Sequence, residues 1–186
     1  MAEELESFAV SLARGAANVV RGAAGGDVQV DTKSTATDLV TAVDRLTEAW
    51  LIEQIGARRP DDAVLGEEGG RHAGRGRVRW ILDPIDGTVN FVLGLPQYGV
   101  SVAAELDGVV VAGAVCNPVS GELFHARAGG GAYLDGRRLG ARRDVPLARA
   151  VVGTGFGYDA ALRARQALVV SALLPVIADI RRAGSA

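Results

Sequence analysis

Cysteine, aromatic residues and excess charge of either sign are scarce in this sequence of 186 residues. The single cysteine, Cys116, excludes an internal disulfide and has no second thiol or nearby histidine at metal-ligand spacing, so we expect a reducing, cytoplasmic location. Twenty basic and 22 acidic residues give a formal net charge of −2. Without a large cationic field, the chain is poorly suited to hold a nucleic-acid backbone, and no nucleic-acid partner is expected.

Long hydrophobic runs are also absent. No stretch of about 18 uninterrupted apolar residues occurs, and the first residues, MAEELE, are acidic where a signal peptide would be basic. We therefore expect no membrane partner. The hydrophobic share is nevertheless 48%, which is enough for a buried core, and the length suits a single domain over residues 1–186.

The N-terminal part shows two helical patterns. Apolar residues between positions 5 and 20 recur at three- and four-residue spacing, and this helix is expected to end near Gly25-Gly26. A second pattern covers residues 43–55, with Thr41 as its N-cap. Asp44 lies in the first turn of this second helix, where capping alone would account for a carboxylate.

From about residue 63 the pattern changes to short apolar runs that indicate strands. They cover residues 63–65, 78–82, 98–106, 109–115 and 123–126. Asp107-Gly108 is a typical two-residue hairpin turn, so we predict an antiparallel meander in the middle of the chain. A strand at residues 151–154 and a helix at residues 160–178 follow. The whole pattern predicts an α/β (α+β) fold of packed layers.

The most informative segment is WILDPIDGTVNF at residues 80–91, in which a strand runs into a turn with two carboxylates. Pro84 stops ladder pairing and keeps Asp83 extended, so Asp83 and Asp86 can converge while the Ile85 carbonyl points inward. This turn offers three oxygen ligands within four residues.

The residues after Asp86 add an anion site. Gly87 allows the backbone to approach a ligand closely, and a helical turn that begins at Thr88 would leave N–H groups for a phosphate. A second acidic loop, GEEGG at residues 66–70, contributes Glu67.

Gathering Asp44, Glu67, Asp83 and Asp86 in one pocket would be costly without cations, because like charges raise each other's pKa. All candidate ligands are hard oxygens, and the histidines lie outside the motif, which favours Mg²⁺ over zinc, with manganese as an alternative. Acids near glycine are usually caps or solvated turn residues. At residues 83–88 the combination of features favours a metal and phosphate site over these ordinary roles.

At these residues the sequence resembles the inositol monophosphatase family, whose two signatures correspond to GEE at residues 66–68 and DPIDGT at 83–88. The resemblance extends to Lys33, residues 38–41, 153–156 and 181–186. It implies a layered αβαβα sandwich of the sugar phosphatase type. In the family a later Trp-Asp motif supplies another metal ligand, so the chain is expected to be truncated, with an incomplete second αβ layer and much reduced activity.

The resemblance also implies metal ligands and a nucleophile. Glu67, Asp83 and the Ile85 carbonyl would hold a first Mg²⁺, and Asp83 and Asp86 would share a second. The nucleophile would be a metal-activated water.

Catalytic and substrate-binding roles are implied as well. Thr88, hydrogen-bonded to Asp44, would activate the water with help from Glu67, which makes these three the expected catalytic residues. Asp86, Gly87, Thr88 and Ala186 would bind the substrate.

The expected reaction is hydrolysis of inositol monophosphate to inositol and phosphate. Histidinol phosphate, fructose 1,6-bisphosphate and 3′-phosphoadenosine 5′-phosphate remain alternative substrates, because the signature residues act on the phosphate rather than on the leaving group. A chain of another class, a binding or assembly module without turnover, is the further alternative. Family members are commonly dimers, and a homodimer is consistent with the resemblance.

Overall fold

The computed structural model describes residues 1–24, 30–32, 39–140 and 145–186. Gly25-Gly26, Lys33 and Asp38, named above, lie outside the described residues. The helices of the described part are α1 (Ala2–Ala23), α2 (Ala42–Arg58), α3 (Thr88–Val92) and α4 (Ala160–Leu173). Short 3₁₀ turns occupy Leu147–Arg149 and Leu174–Val176. No helix within these ranges is both long and apolar enough to cross a lipid bilayer.

Twelve strands are present in the described ranges. They are β1 (Val30–Thr32), β2 (Leu39–Thr41), β3 (Ala63–Leu65), β4 (Arg71–His72), β5 (Val78–Asp86), β6 (Gly99–Leu106), β7 (Val109–Cys116), β8 (Leu123–Arg127), β9 (Gly131–Leu134), β10 (Arg137–Arg138), β11 (Val151–Gly153) and β12 (Asp179–Arg181). Eight form one sheet in the order β10-β9-β8-β7-β6-β5-β3-β4, antiparallel except for the parallel pair β3 and β5. The predicted meander is confirmed, with Asp107-Gly108 as the turn between β6 and β7.

The two N-terminal helices cover one face of this sheet. The buried face of α1 is rich in alanine, and such small side chains let the helix lie close to β6 and β7. Trp80 on β5 is fully buried at the centre, where Phe8 meets it edge to face at 5.2 Å between ring centroids. Its indole N–H donates to Asp62 at 2.9 Å. Helix α2 packs on α1 and β5, so the predicted first αβ layers are confirmed.

The C-terminal layer is much less buried. Strands β11 and β12 form a parallel pair, and α4 buries none of its side chains; Leu168, for example, is 72% exposed. On the large sheet, Val115 and Phe124 are register partners and line an apolar depression of about 410 Å³. The incomplete second layer implied by the family resemblance stays a prediction, with which the exposure of α4 is consistent.

One charged cluster links α1 to the sheet. Glu6 is 5% exposed, and its carboxylate contacts His125 Nδ1 at 2.8 Å and accepts a hydrogen bond from Arg127. Burial acts to raise the pKa of Glu6, but the hydrogen bonds from Arg127 and His125 outweigh it and hold the pKa below its ordinary value of 4.5. The contacts of Glu6 with Arg127 and His125 therefore stabilise the folded chain when Glu6 is ionised.

Glu6→Gln should lower the free energy of unfolding at pH 7 by about 1–3 kcal/mol, because one buried charge-assisted contact is lost. Since the folded-state pKa is depressed, this contribution is present above about pH 4.5 and is lost as pH falls through the folded-state pKa. Urea unfolding at pH 7 and pH 3.5 measures it, with Glu4→Gln, on the exposed face of α1, as control. Equal losses for the two variants at pH 7 would contradict the assignment.

Candidate active site

Asp83 and Asp86 both lie near the C-terminal end of β5, which continues beyond the predicted boundary at residue 82. Asp83 pairs with Ser101 of β6, and pairing resumes at Asp86 opposite Gly99 after a register shift. The expectation that Pro84 stops the ladder is therefore correct only locally. A proline has no N–H to donate, and a bulge accommodates it without ending the strand. The bulge changes the register between the two aspartates.

Glu67 lies in the loop after β3, beside the same edge of the sheet. Strands β3 and β5 are parallel with Leu65 opposite Ile81, so Glu67 and Asp83 each lie two residues beyond a register pair. The carboxyl ends of parallel strands meet at one edge of a sheet, where side chains from separate loops converge. The topology therefore places Glu67 in the loop next to Asp83.

The Asp44 carboxylate joins α2 to the turn after β5. It is fully buried, and its Oδ2 accepts hydrogen bonds from the Thr41 N–H (2.8 Å) and the Thr41 hydroxyl (2.5 Å) in a capping box. The other oxygen, Oδ1, lies 3.3 Å from the Thr88 hydroxyl, which is also 3.0 Å from the Ile85 carbonyl oxygen. The capping role and the contact with Thr88 are both present, each on its own oxygen.

Gly87 is the N-cap of α3 and has a left-handed backbone, with φ of 94°. A Cβ at this position would lie 3.1 Å from the Gly184 carbonyl oxygen and 3.1 Å from the Ser185 Cβ. Asn90 holds the same segment, because its amide nitrogen donates to the carbonyls of Ala183 (2.9 Å) and Gln97. The C-terminal residues are thus packed directly against the turn.

Asp86 faces this C-terminal segment. The Ser185 hydroxyl donates to Asp86 Oδ2 at 2.7 Å, and the Ala186 N–H donates to the same oxygen. The structure therefore places Ala186 beside Asp86. A cavity of about 550 Å³ opens here. It is lined by Asp86 and Gly87 on one side and by residues that include Thr154, Phe156, Tyr158, Arg181 and Arg182 on the other.

The donor set suits a hard divalent cation. The candidate ligands are carboxylate and carbonyl oxygens, whereas His72 lies exposed on β4 and His125 is bound to Glu6. The Thr88 hydroxyl can donate its single proton either to the Ile85 carbonyl or to Asp44 Oδ1, and the carbonyl oxygen has two lone pairs, so it can also face a cation. Among the described residues, no three His, Cys, Asp or Glu side chains are arranged so that they could hold a metal ion. These residues therefore suit Mg²⁺ by the chemistry of their oxygen atoms and by the strands that carry them, whereas their side chains are not arranged around a cation position.

Two further residues, missed by the sequence reasoning, shape this region. Glu48 on α2 is 2% exposed and contacts the backbone of the Glu67 loop, and Asn90 ties α3 to the C-terminal segment. Glu48 had a detectable signal: it lies one helical turn after Asp44 and three residues before the buried Leu51, on a stripe that faces the core. Nothing in the pattern around Asn90 distinguished it.

Comparisons with known proteins identify the family and agree with the fold. Residues 1–186 match the inositol monophosphatase family. An inositol-1-monophosphatase of Mycobacterium leprae is 47% identical in an alignment that covers 99% of this chain and 70% of that protein. The crystal structure of the extragenic suppressor protein suhB from Bartonella henselae gives a TM-score of 0.90 at 32% identity, covering 95% of this chain and 69% of that chain.

One of the matching relatives is named as a Nus factor and not as a phosphatase. The Nus factor SuhB of Pasteurella multocida is 38% identical over 97% of this chain and 68% of its own length. The expected absence of a nucleic-acid partner therefore stays a prediction.

Gly87→Ala should destabilise the chain more than Gly94→Ala. Both glycines have positive φ, so each substitution costs about 1–2 kcal/mol in backbone strain. Only at Gly87 would the new methyl group also crowd Gly184 and Ser185, since nothing lies within 4 Å of a Cβ at Gly94. Urea unfolding of both variants measures the difference, and equal destabilisation would mean that the C-terminal segment does not pack on this turn.

Proposed function

The chain belongs to the inositol monophosphatase family, a family of phosphatases, and from this premise we propose that it hydrolyses inositol monophosphate in a Mg²⁺-dependent reaction. The observation that supports this most directly is the buried contact between Thr88 and Asp44, at a turn that also presents Asp83 and Asp86. A hydroxyl held by a buried carboxylate is suited to move a proton.

The substrate phosphate would bind at the start of α3. The backbone N–H groups of Gly87 and Thr88 would donate to phosphoryl oxygens, and Asp86 would contact the substrate from the adjoining cavity. Ala186 would complete this wall through its position beside Asp86. The sugar ring would then occupy the cavity between the turn and the C-terminal segment.

Thr88 and Asp44 would carry the proton from the attacking water. The water proton passes to Thr88 Oγ1 while the Thr88 hydroxyl proton moves to Asp44 Oδ1, which already lies at 3.3 Å. Oδ2 remains fixed by Thr41, so the acceptor oxygen keeps its direction. Glu67 would assist as a second acceptor. The water oxygen would bond to phosphorus as the ester bond in line with it breaks. The departing alkoxide would take a proton from solvent, and Asp44 would return its proton to solvent.

The cation completes the reaction chemistry. Glu67, Asp83, Asp86 and the Ile85 carbonyl would hold Mg²⁺, which when bound supplies positive charge for the phosphoryl oxygens and the departing alkoxide. Its charge would also offset the repulsion among these carboxylates.

Phosphate release from inositol monophosphate, measured with and without Mg²⁺, tests the proposal. Release should require Mg²⁺ and be lost in Asp83→Asn, because Asp83 is one of the residues that would hold Mg²⁺. A folded protein that releases no phosphate from any ester under saturating Mg²⁺ would contradict the function. A panel with histidinol phosphate, fructose 1,6-bisphosphate and 3′-phosphoadenosine 5′-phosphate tests the substrate, since faster release from one of these would reassign it.

Thr88→Val and Thr88→Ser separate the hydroxyl from the shape of the side chain. Valine fills the same space without a proton to move, so kcat should fall by about 10²–10⁴-fold, whereas serine should keep most of the activity. Steady-state kinetics at saturating Mg²⁺ give the comparison. Comparable kcat values for Thr88→Val and the unmodified chain would exclude Thr88 from proton transfer.

A further inference from the structure

Glu48 is a buried carboxylate whose partners are in the Glu67 loop rather than in its own helix. It is 2% exposed on α2. Its Oε2 accepts the N–H of Glu68 at 2.9 Å, and its Oε1 accepts the N–H of Gly69. A carboxylate that accepts two backbone N–H groups is satisfied without a cationic partner, and such charge-assisted bonds are stronger than neutral ones.

The loop is shaped around this carboxylate. A Cβ at Gly66 would overlap the Glu48 carboxylate, and a Cβ at Gly69 would lie 2.6 Å from Oε1. The loop closes on itself where the Gly66 N–H donates to the Gly70 carbonyl at 2.9 Å. Both glycines are therefore required by the approach of Glu48, and Glu67 lies between them.

Helix α2 thereby holds two parts of the site. Asp44 and Glu48 are one helical turn apart and lie on the same face, about 6 Å apart along the axis. The first contacts Thr88 after β5, and the second binds the backbone of the loop after β3. A rigid helix thus fixes the distance between the proton-transfer pair and the loop that carries Glu67.

We propose that Glu48 is a positioning residue for the phosphatase reaction, which directs the Glu67 carboxylate toward the end of β5 by anchoring residues 68 and 69. This inference rests on the proposed function. Glu48 acts through the loop backbone, since its carboxylate oxygens are bonded to the N–H groups of Glu68 and Gly69. Misplacement of a reacting group by about 1 Å can cost on the order of 10²-fold in rate.

Glu48→Gln tests the inference, because glutamine keeps the shape but retains only one acceptor oxygen. Amide hydrogen exchange at Glu68 and Gly69, followed by NMR without Mg²⁺ or substrate, should accelerate by about 10-fold or more. The Mg²⁺ concentration for half-maximal activity should rise by about 10–100-fold, and kcat should fall while KM for the ester changes little. Glu53→Gln, the same change on the exposed face of α2, should alter none of these.

A second variant covers the case in which Glu48→Gln fails to fold. Gly69→Ala pushes the loop away from an intact Glu48 and should give the same three changes, with Gly56→Ala in α2 as control, since nothing lies within 4 Å of a Cβ there. Unchanged exchange at residues 68 and 69 in a folded Glu48→Gln protein would overturn the inference whether or not the chain hydrolyses esters. Faster exchange with unchanged kcat and Mg²⁺ dependence would also overturn it, since Glu48 would then be structural only.

Discussion

The arrangement of this site depends on a carboxylate that has no access to water. Asp44 is fully buried, and burial of a charge is unfavourable unless its oxygens are hydrogen-bonded. Thr41 satisfies one oxygen through the capping box, and Thr88 lies within reach of the other. These contacts connect the start of α2 to the turn after β5. A helix cap and a candidate catalytic contact are here one structural solution.

Sheet topology extends this constraint to the second acidic loop. In a simple meander each strand pairs with the strands before and after it in the sequence. Here β3 instead pairs with β5, and the two strands are parallel. The loops that follow these two strands consequently emerge at one edge, under the buried face of α2. Because that face carries Glu48 as well as Asp44, the loop backbone is hydrogen-bonded to the same helix. One helix and one parallel strand pair thus hold the backbone of the Glu67 loop and the turn after β5.

Sequence patterns predicted the parts of this arrangement that local physics determines. The stripe on α1, the Thr41 cap and the Asp107-Gly108 hairpin follow from helix periodicity, side-chain hydrogen bonding and left-handed turn geometry. Contacts over long sequence separations were harder. Pro84 interrupts β5 without ending it because a bulge restores the ladder, and Asn90 reaches Ala183 only in the folded chain. The pairing of Thr88 with Asp44 was expected from family resemblance, not from spacing.

The residues proposed for phosphate chemistry and those proposed to select the substrate differ in how deeply they are buried. Asp44 on α2, Thr88 and Ile85 are all buried, and Ile85 belongs to the main hydrophobic core, so their geometry is set by packing. The opposite wall of the cavity comes from residues around Phe156 and Arg182, in a layer whose helix buries no side chain. The groups proposed to act on phosphate are therefore buried in the main fold, whereas those proposed to meet the leaving alcohol lie in a layer with little burial. For this reason the structure bears more directly on the proposed phosphate chemistry than on the identity of the ester.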